Sequence, residues 1–349
     1  MKASAFKYAL LSVVTSLAMF TILLMPFHGF LTVWLSSLIG HYTALRLWKE
    51  VILLLSGLGV LYLLLFDQKI RSHTMTRRLV WLILAYGVIN LVWGAVAFHN
   101  HAVTAKALGY GLIVDLRFLL FFLITWSCAL RLARLRVHWQ WVVLWPAAIV
   151  VAFGVLQAFV LPHDFLRHFG YGPHTISAYE TINHNQHYIR IASTLRGANP
   201  LGAYLIIPIT LLTILLARGK RLKLYGAFLA ASLIALFFTF SRSAWIGAVL
   251  SMGTVLWLSL KSQQARKMVL FGAICLLVVA SATTIIFRHN TRYQNFVLHT
   301  QTHSAVKQTS NEGHLAALKT GAKDIAHHPL GTGPGTAGPA SVYNDKGAR

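Results

Sequence analysis

The chain has 349 residues, of which 56% are hydrophobic and 11% charged, with a mean hydropathy of +0.63. That balance excludes an ordinary soluble domain, where about a quarter of residues carry charge, and it marks an integral membrane protein. Lys and Arg outnumber Asp and Glu by 31 to 8, a formal net charge of +23, yet the basic residues stand in short clusters between apolar runs. A membrane surface accounts for that distribution, so no nucleic-acid partner is assigned. Cys128 and Cys275 lie inside apolar runs without paired spacing and read as small buried hydrophobes.

Lys2 and Lys7 precede a first apolar run, 8–25, which is long for a signal peptide and lacks a small-residue cleavage site before Pro26. Residues 27–42 are only moderately apolar and read as an interfacial or re-entrant segment. Further runs follow at 45–66, 79–98, 108–130, 139–161, 201–217, 224–240, 244–260 and 268–287. Each approaches the ~20 residues a helix needs to cross a bilayer. The expectation is an all-α polytopic transmembrane bundle of about nine spans, a single integral membrane domain over residues 1–349.

Basic clusters mark every second connection: Lys2 and Lys7; Lys69, Arg71, Arg77 and Arg78; Arg131, Arg134 and Arg136; Arg218, Lys220, Arg221 and Lys223; Lys261, Arg266 and Lys267. The positive-inside rule puts these in the cytoplasm. Two long loops, 162–200 and 288–349, then face outward, the second ending in a Gly/Pro-rich stretch at 331–341.

Ionisable groups inside apolar runs are functional candidates by default. Asp115 and Arg117 sit in the fourth run, and at i, i+2 they do not share a helix face. Each either pairs with a neighbouring span or lines an outward-open cavity. Arg242 stands in a connection so short that it must lie at the outer boundary, either snorkelling to headgroups or helping to hold an anion. Arg190, Ser193, Thr194, Arg196 and Asn199-Pro200-Leu201-Gly202 come immediately before an apolar run. Arginine forks and the free N–H groups of a helix start suit an anion such as phosphate. The rival reading is a charged loop that merely caps the helix.

The first outer loop holds His163, His168, His174, His184 and His187. The pair His184 and His187 has ligand-like spacing, but no Cys or His-Glu-x-x-His pattern accompanies it, so no metal site is assigned. These are read as polar loop residues. No dinucleotide fingerprint, Walker lysine or Asp-x-Asp occurs, and no cofactor is assigned. In the second loop Leu315, Leu318, Ala322 and Ile325 fall on one helical face, with His328-Pro329 as the stop.

Arg190-x-x-Ser193-Thr194 followed by Asn199-Pro-Leu-Gly202 resembles the signature of the O-antigen ligase and O-antigen polymerase superfamily of bacterial membrane glycosyltransferases. Thr239-Phe-Ser-Arg-Ser-Ala-Trp245, and Gly313-His-Leu-Ala-Ala-Leu318 leading to His328-Pro-Leu-Gly-Thr-Gly333, resemble later stretches in the family's order. The resemblance implies metal-independent transfer of a glycan from a polyprenyl-diphosphate carrier, of the undecaprenyl type, to an acceptor glycan, lipid or protein. It places that step on the outer face of the bacterial cytoplasmic (inner) membrane, among membrane lipids, in cell-surface polysaccharide biosynthesis.

Arg190, Arg196, Asn199, Arg242, Asp115 and Arg117 are then the candidate substrate-binding residues, and His314 the candidate general base. An arginine common near the start of the family's outer-loop helix is missing from Asn311-Glu-Gly-His314, where His314, Lys319 or Lys323 would substitute. No residue here matches the family's catalytic histidine, and the resemblance implies that the family core continues into further spans. The alternatives are a transporter or flippase of lipid-linked sugars, and a non-catalytic assembly protein.

Overall fold

A computed structural model describes residues 2–129, 133–183, 185–298 and 310–344. The apolar runs become helices because a helix satisfies its own backbone hydrogen bonds without water. In order they are α1 (Lys2–Leu24), α2 (His28–Ile39), α3 (Tyr42–Leu45), α4 (Trp48–Phe66), α5 (Gln68–Met75), α6 (Arg78–His99), α7 (Ala105–Ala129) and α8 (Ala133–Phe159). A hairpin of β1 (Glu180–Ile182) and β2 (Asn185–Arg190) follows. Then come α9 (Ala198–Ala217), α10 (Leu222–Phe238), α11 (Arg242–Ser259), α12 (Gln263–Phe287), α13 (Thr291–Tyr293) and α14 (Ser310–His327).

The all-α polytopic architecture is as expected. Among the described residues, seven helical stretches are long and apolar enough to cross a membrane. The expected nine spans all coincide with helices, but α10 has only 17 residues and α11, 18 residues long, opens on Arg242. The α10–α11 corner spends residues on a polar turn that would otherwise lengthen the helices. The segment expected to be interfacial or re-entrant contains α2: a 3₁₀ turn at Met25–Phe27 carries Pro26 at its start, where a missing N–H is harmless, and Gly40 at φ 73° ends the helix.

The chain forms two compact units. The first comprises residues 1–22, 47–139 and 317–349. Its core joins α1, α4 and α7 through buried Leu11, Val14, Ala18, Val60, Leu63, Ile124 and Cys128. Gly59 permits the α1–α4 approach, because a Cβ there would lie 2.6 Å from Val14 Cγ2. The Gly/Pro-rich segment docks on α6 and α7. Trp93 Nε1 donates to Gly331 O at 3.2 Å, Thr104 Oγ1 to Tyr343 O at 2.8 Å, and Asn344 Nδ2 to Ala102 O at 3.1 Å. Lys106 Nζ lies 4.7 Å from the Tyr343 ring centroid, a cation–π contact.

The second unit, residues 23–46 and 140–316, is built around α9. Leu201, Leu205, Ile209 and Leu212 of α9 are fully buried against α8, α10 and α11. Gly202 allows α11 close contact; a Cβ there would meet Ala244 Cβ at 2.8 Å. The 3₁₀ turn Phe165–Phe169 packs on α2, with Leu166 and Val33 buried and Phe169 5.1 Å from Phe30. The hairpin was not foreseen. It is antiparallel, with Glu180 opposite Arg190 and an irregularity between Thr181 and Ile182.

The basic clusters make a topological prediction. In a background with Cys128 and Cys275 replaced, an impermeant thiol reagent applied outside should label a cysteine at 175 and miss one at 220. Labelling at 220 and not at 175 would invert the orientation.

Candidate functional site

The first candidate constellation lies in the second unit, where β2 ends against α9 and the α10–α11 corner. Strand pairing brings Arg190 across from Glu180, and the guanidinium fork spreads over three elements. Nε donates to Thr239 O at 2.8 Å, Nη2 donates to Asn199 Oδ1, and Nη1 lies 3.6 Å from Glu180 Oε2. The side chain is only 14% exposed. Burial lowers its pKa, with Glu180 opposing that fall and Arg242 adding to it. An arginine so placed stays charged.

The loop after β2 is pinned rather than free. Ser193, at φ 50°, donates through Oγ to Val150 O at 2.7 Å and takes its own N–H to Gln157 Oε1 at 2.7 Å. Thr194 Oγ1 donates to Pro26 O at 3.0 Å, and Phe30 N–H returns to Thr194 O at 3.3 Å. Both hydroxyl residues are buried. The Ser-Thr pair therefore fixes the arginine-bearing loop and points inward.

The helix starts add polarity. Glu180 Oε2 accepts the Ala198 N–H of α9 at 3.3 Å, so one carboxylate offsets both Arg190 and the positive end of a helix dipole. At the corner, Thr239 is fully buried, Phe240 turns at φ 50°, and Ser241 N–H donates to Thr239 Oγ1 at 3.2 Å. Trp245 braces the turn by donating to Leu236 O at 3.0 Å and stacking on Phe237. Arg242, at the first residue of α11, donates through Nη1 to Leu298 O at 2.7 Å.

The remaining predicted residues separate. Arg196 is exposed just before the α9 N-cap, with no hydrogen bond or ion pair among the described residues. His314 is exposed on α14, and no recorded contact brings it to the arginines. His184 lies outside the described residues, and His187 is exposed on β2.

In the first unit, Arg117 and Asp115 turn to different neighbours. Arg117 Nη1 lies 3.5 Å from Glu50 Oε1 of α4, and Glu50 also pairs with Lys49 at 2.8 Å. Asp115 lines a cavity of about 550 Å³ with Tyr86, Asn90 and Trp93 of α6 and the Gly333–Gly338 segment. Sequence reasoning missed Glu180, because hairpin register and not sequence distance makes it the partner of Arg190. It offered a cavity as one role for Asp115 but not the wall that the Gly333–Gly338 segment supplies, although the spaced glycines at 331, 333 and 335 were a visible signal of backbone approach.

Apolar helices of crossing length define a multi-pass membrane protein, with half-buried Arg190 and Arg242 near the starts of α9 and α11. Residues 226–348 match the family model described as O-antigen ligase. The match covers the corner motif at Thr239–Trp245 and the stretch from Gly313 to Gly333, while the Arg190 loop precedes it. That match supports a function of O-antigen ligase/polymerase type, in polysaccharide biosynthesis. Comparison with curated proteins and with solved structures found no match.

Proposed function

We propose that the chain transfers a glycan from a polyprenyl diphosphate to an acceptor hydroxyl at the outer face of the cytoplasmic membrane. One observation carries the reading. Arg190 and the N-terminus of α9 converge on a single carboxylate, Glu180, and Arg242 heads the adjoining helix α11. The exposed fork of Arg196 adjoins the same helix start.

Such a site suits a diphosphate leaving group. The acceptor oxygen bonds to the anomeric carbon as the bond from that carbon to the phosphate oxygen breaks, and the charge grows on the departing diphosphate. Preorganised arginines stabilise that charge without a metal ion. Arg190 and Arg242 hold the diphosphate, Asn199 positions Arg190, and Arg196 supplies further charge from the rim. The acceptor proton goes to a general base, the role assigned to His314 on α14. Arg117, paired with Glu50, keeps the first unit's helices in register.

The test is transfer by the purified chain in nanodiscs, using an undecaprenyl-diphosphate oligosaccharide and candidate acceptors. Chelator-resistant product is expected, with Arg242→Gln lowering turnover about 10²–10³-fold, as for loss of one preorganised donor. Movement of the lipid-linked sugar across a proteoliposome without any transfer product would replace this reading with a transporter.

A further inference from the structure

The cavity in the first unit is not explained by diphosphate binding. Its lining carries a carboxylate and no cation, so an anionic ligand is excluded on charge. An acyl chain is excluded too, because Asp115 and the Asn90 amide would lose their water to hydrocarbon. The Asp115 carboxylate makes no hydrogen bond or ion pair among the described residues, although it sits on a helix of membrane-crossing length. Asp115 is exposed in this open cavity, so both of its carboxylate oxygens are available to a ligand.

The surrounding groups narrow the ligand class. Tyr86, Asn90 and Trp93 fall at i, i+4 and i+7 on α6, so two aromatic side chains and an amide line one wall. The opposite wall is backbone. Gly333, at φ 99°, would place a Cβ 2.7 Å from Ala97 Cβ, and Gly335, at φ 90°, would place one 2.5 Å from Ala107 O. That wall is seated on the helices, and its glycines expose peptide groups between Leu330, Pro334 and Ala337. The volume falls within the range of small-molecule sites, which run from about 300 to 1,000 Å³.

We propose that this cavity is a carbohydrate subsite, in which Asp115 accepts hydrogen bonds from two sugar hydroxyls and the ring stacks on an aromatic side chain. An ionised carboxylate accepts at both oxygens, and the C–H face of a pyranose covers an aromatic ring while its hydroxyls stay paired. The proposal rests on the glycan-transfer reading for the biological source of the sugar, and on the cavity itself for its chemistry.

The test uses the full chain in nanodiscs and saturation-transfer NMR with methyl glycosides of glucose, N-acetylglucosamine and rhamnose. At least one should bind saturably. Asp115→Asn should weaken it about tenfold or more, as for losing hydrogen bonds to a charged acceptor, and Tyr86→Leu should weaken it too. Thermal melting of both variants checks that they fold. No saturable binding of any glycoside to the wild type, or binding untouched by both substitutions, overturns the proposal. Displacement by tetramethylammonium but by no second glycoside also overturns it, in favour of a cation site. Retention of sugar-free undecaprenyl diphosphate by the wild type is measured in parallel; its failure counts against the diphosphate site and leaves the carbohydrate arm to be judged alone.

Discussion

Arg190→Lys should cut retention of a polyprenyl diphosphate by more than tenfold, whereas Arg196→Lys should leave it nearly unchanged. A desolvated charge contact is worth about 2–5 kcal/mol when one partner is lost, and an exposed one about 0–1 kcal/mol. Arg190 is the desolvated case, since its fork reaches Thr239 O, Asn199 and Glu180 at once. A lysine keeps the charge but spans none of that geometry. Arg196 is exposed, and a lysine there supplies the same charge to the rim. Because Arg190 also holds the hairpin, Glu180→Gln separates the two roles. Removing the opposing carboxylate should tighten diphosphate binding if the arginines grip the anion. If Arg190 serves only to brace the loop, the same substitution should leave binding equal or weaker. Binding to nanodisc-embedded protein, read alongside melting curves, distinguishes these results.

The second large effect comes from the smallest substitution. Replacing a glycine inside a helix by alanine ordinarily stabilises by about 1 kcal/mol. Gly111→Ala in α7 should do the reverse, because its Cβ would stand 2.4 Å from Gly335 N and 2.9 Å from Pro334 C. Both obstacles are backbone, so no side chain can swing aside. Overpacking of this kind costs about 1–3 kcal/mol or more, enough to expel the docked segment along with its contacts to Trp93 and Thr104. Limited proteolysis should then cut near 336–341 at enzyme concentrations that leave the wild type intact. An unchanged digestion pattern with a raised melting temperature would show that the segment does not sit against α7.

The helices were legible because bilayer crossing demands long apolar runs whatever the neighbours are, and 45–66, 79–98 and 268–287 carry that demand openly. The corner at Thr239–Ser241 was legible only in part: its motif was visible, but not that it shortens α10 to 17 residues. Pairings were the opaque layer. Glu50 and Arg117 are far apart in sequence and meet only because α4 packs on α7. Glu180 and Arg190 meet through a hairpin of mostly polar residues, where alternation is too weak to announce strands. The inward direction of Ser193 and Thr194 was hidden as well, since a hydroxyl beside an arginine reads as a ligand until its own partner is known. Arg190, Asn199 and Arg242 stood out as polar groups near apolar runs; how far each is shielded from solvent is a property of packing alone.

The shortness of α10 has a consequence for the surrounding lipid. Seventeen residues rising about 1.5 Å each cover roughly 25 Å, less than the ~30 Å hydrocarbon thickness of a typical bilayer. A helix too short for its membrane is accommodated by local thinning. Thinning beside Arg242 would bring the headgroup boundary down to the arginines, so that a long isoprenoid chain could stay in the leaflet while its diphosphate reaches them. Turnover should accordingly fall as the acyl chains of the host lipid are lengthened, making membrane thickness a determinant of rate in its own right.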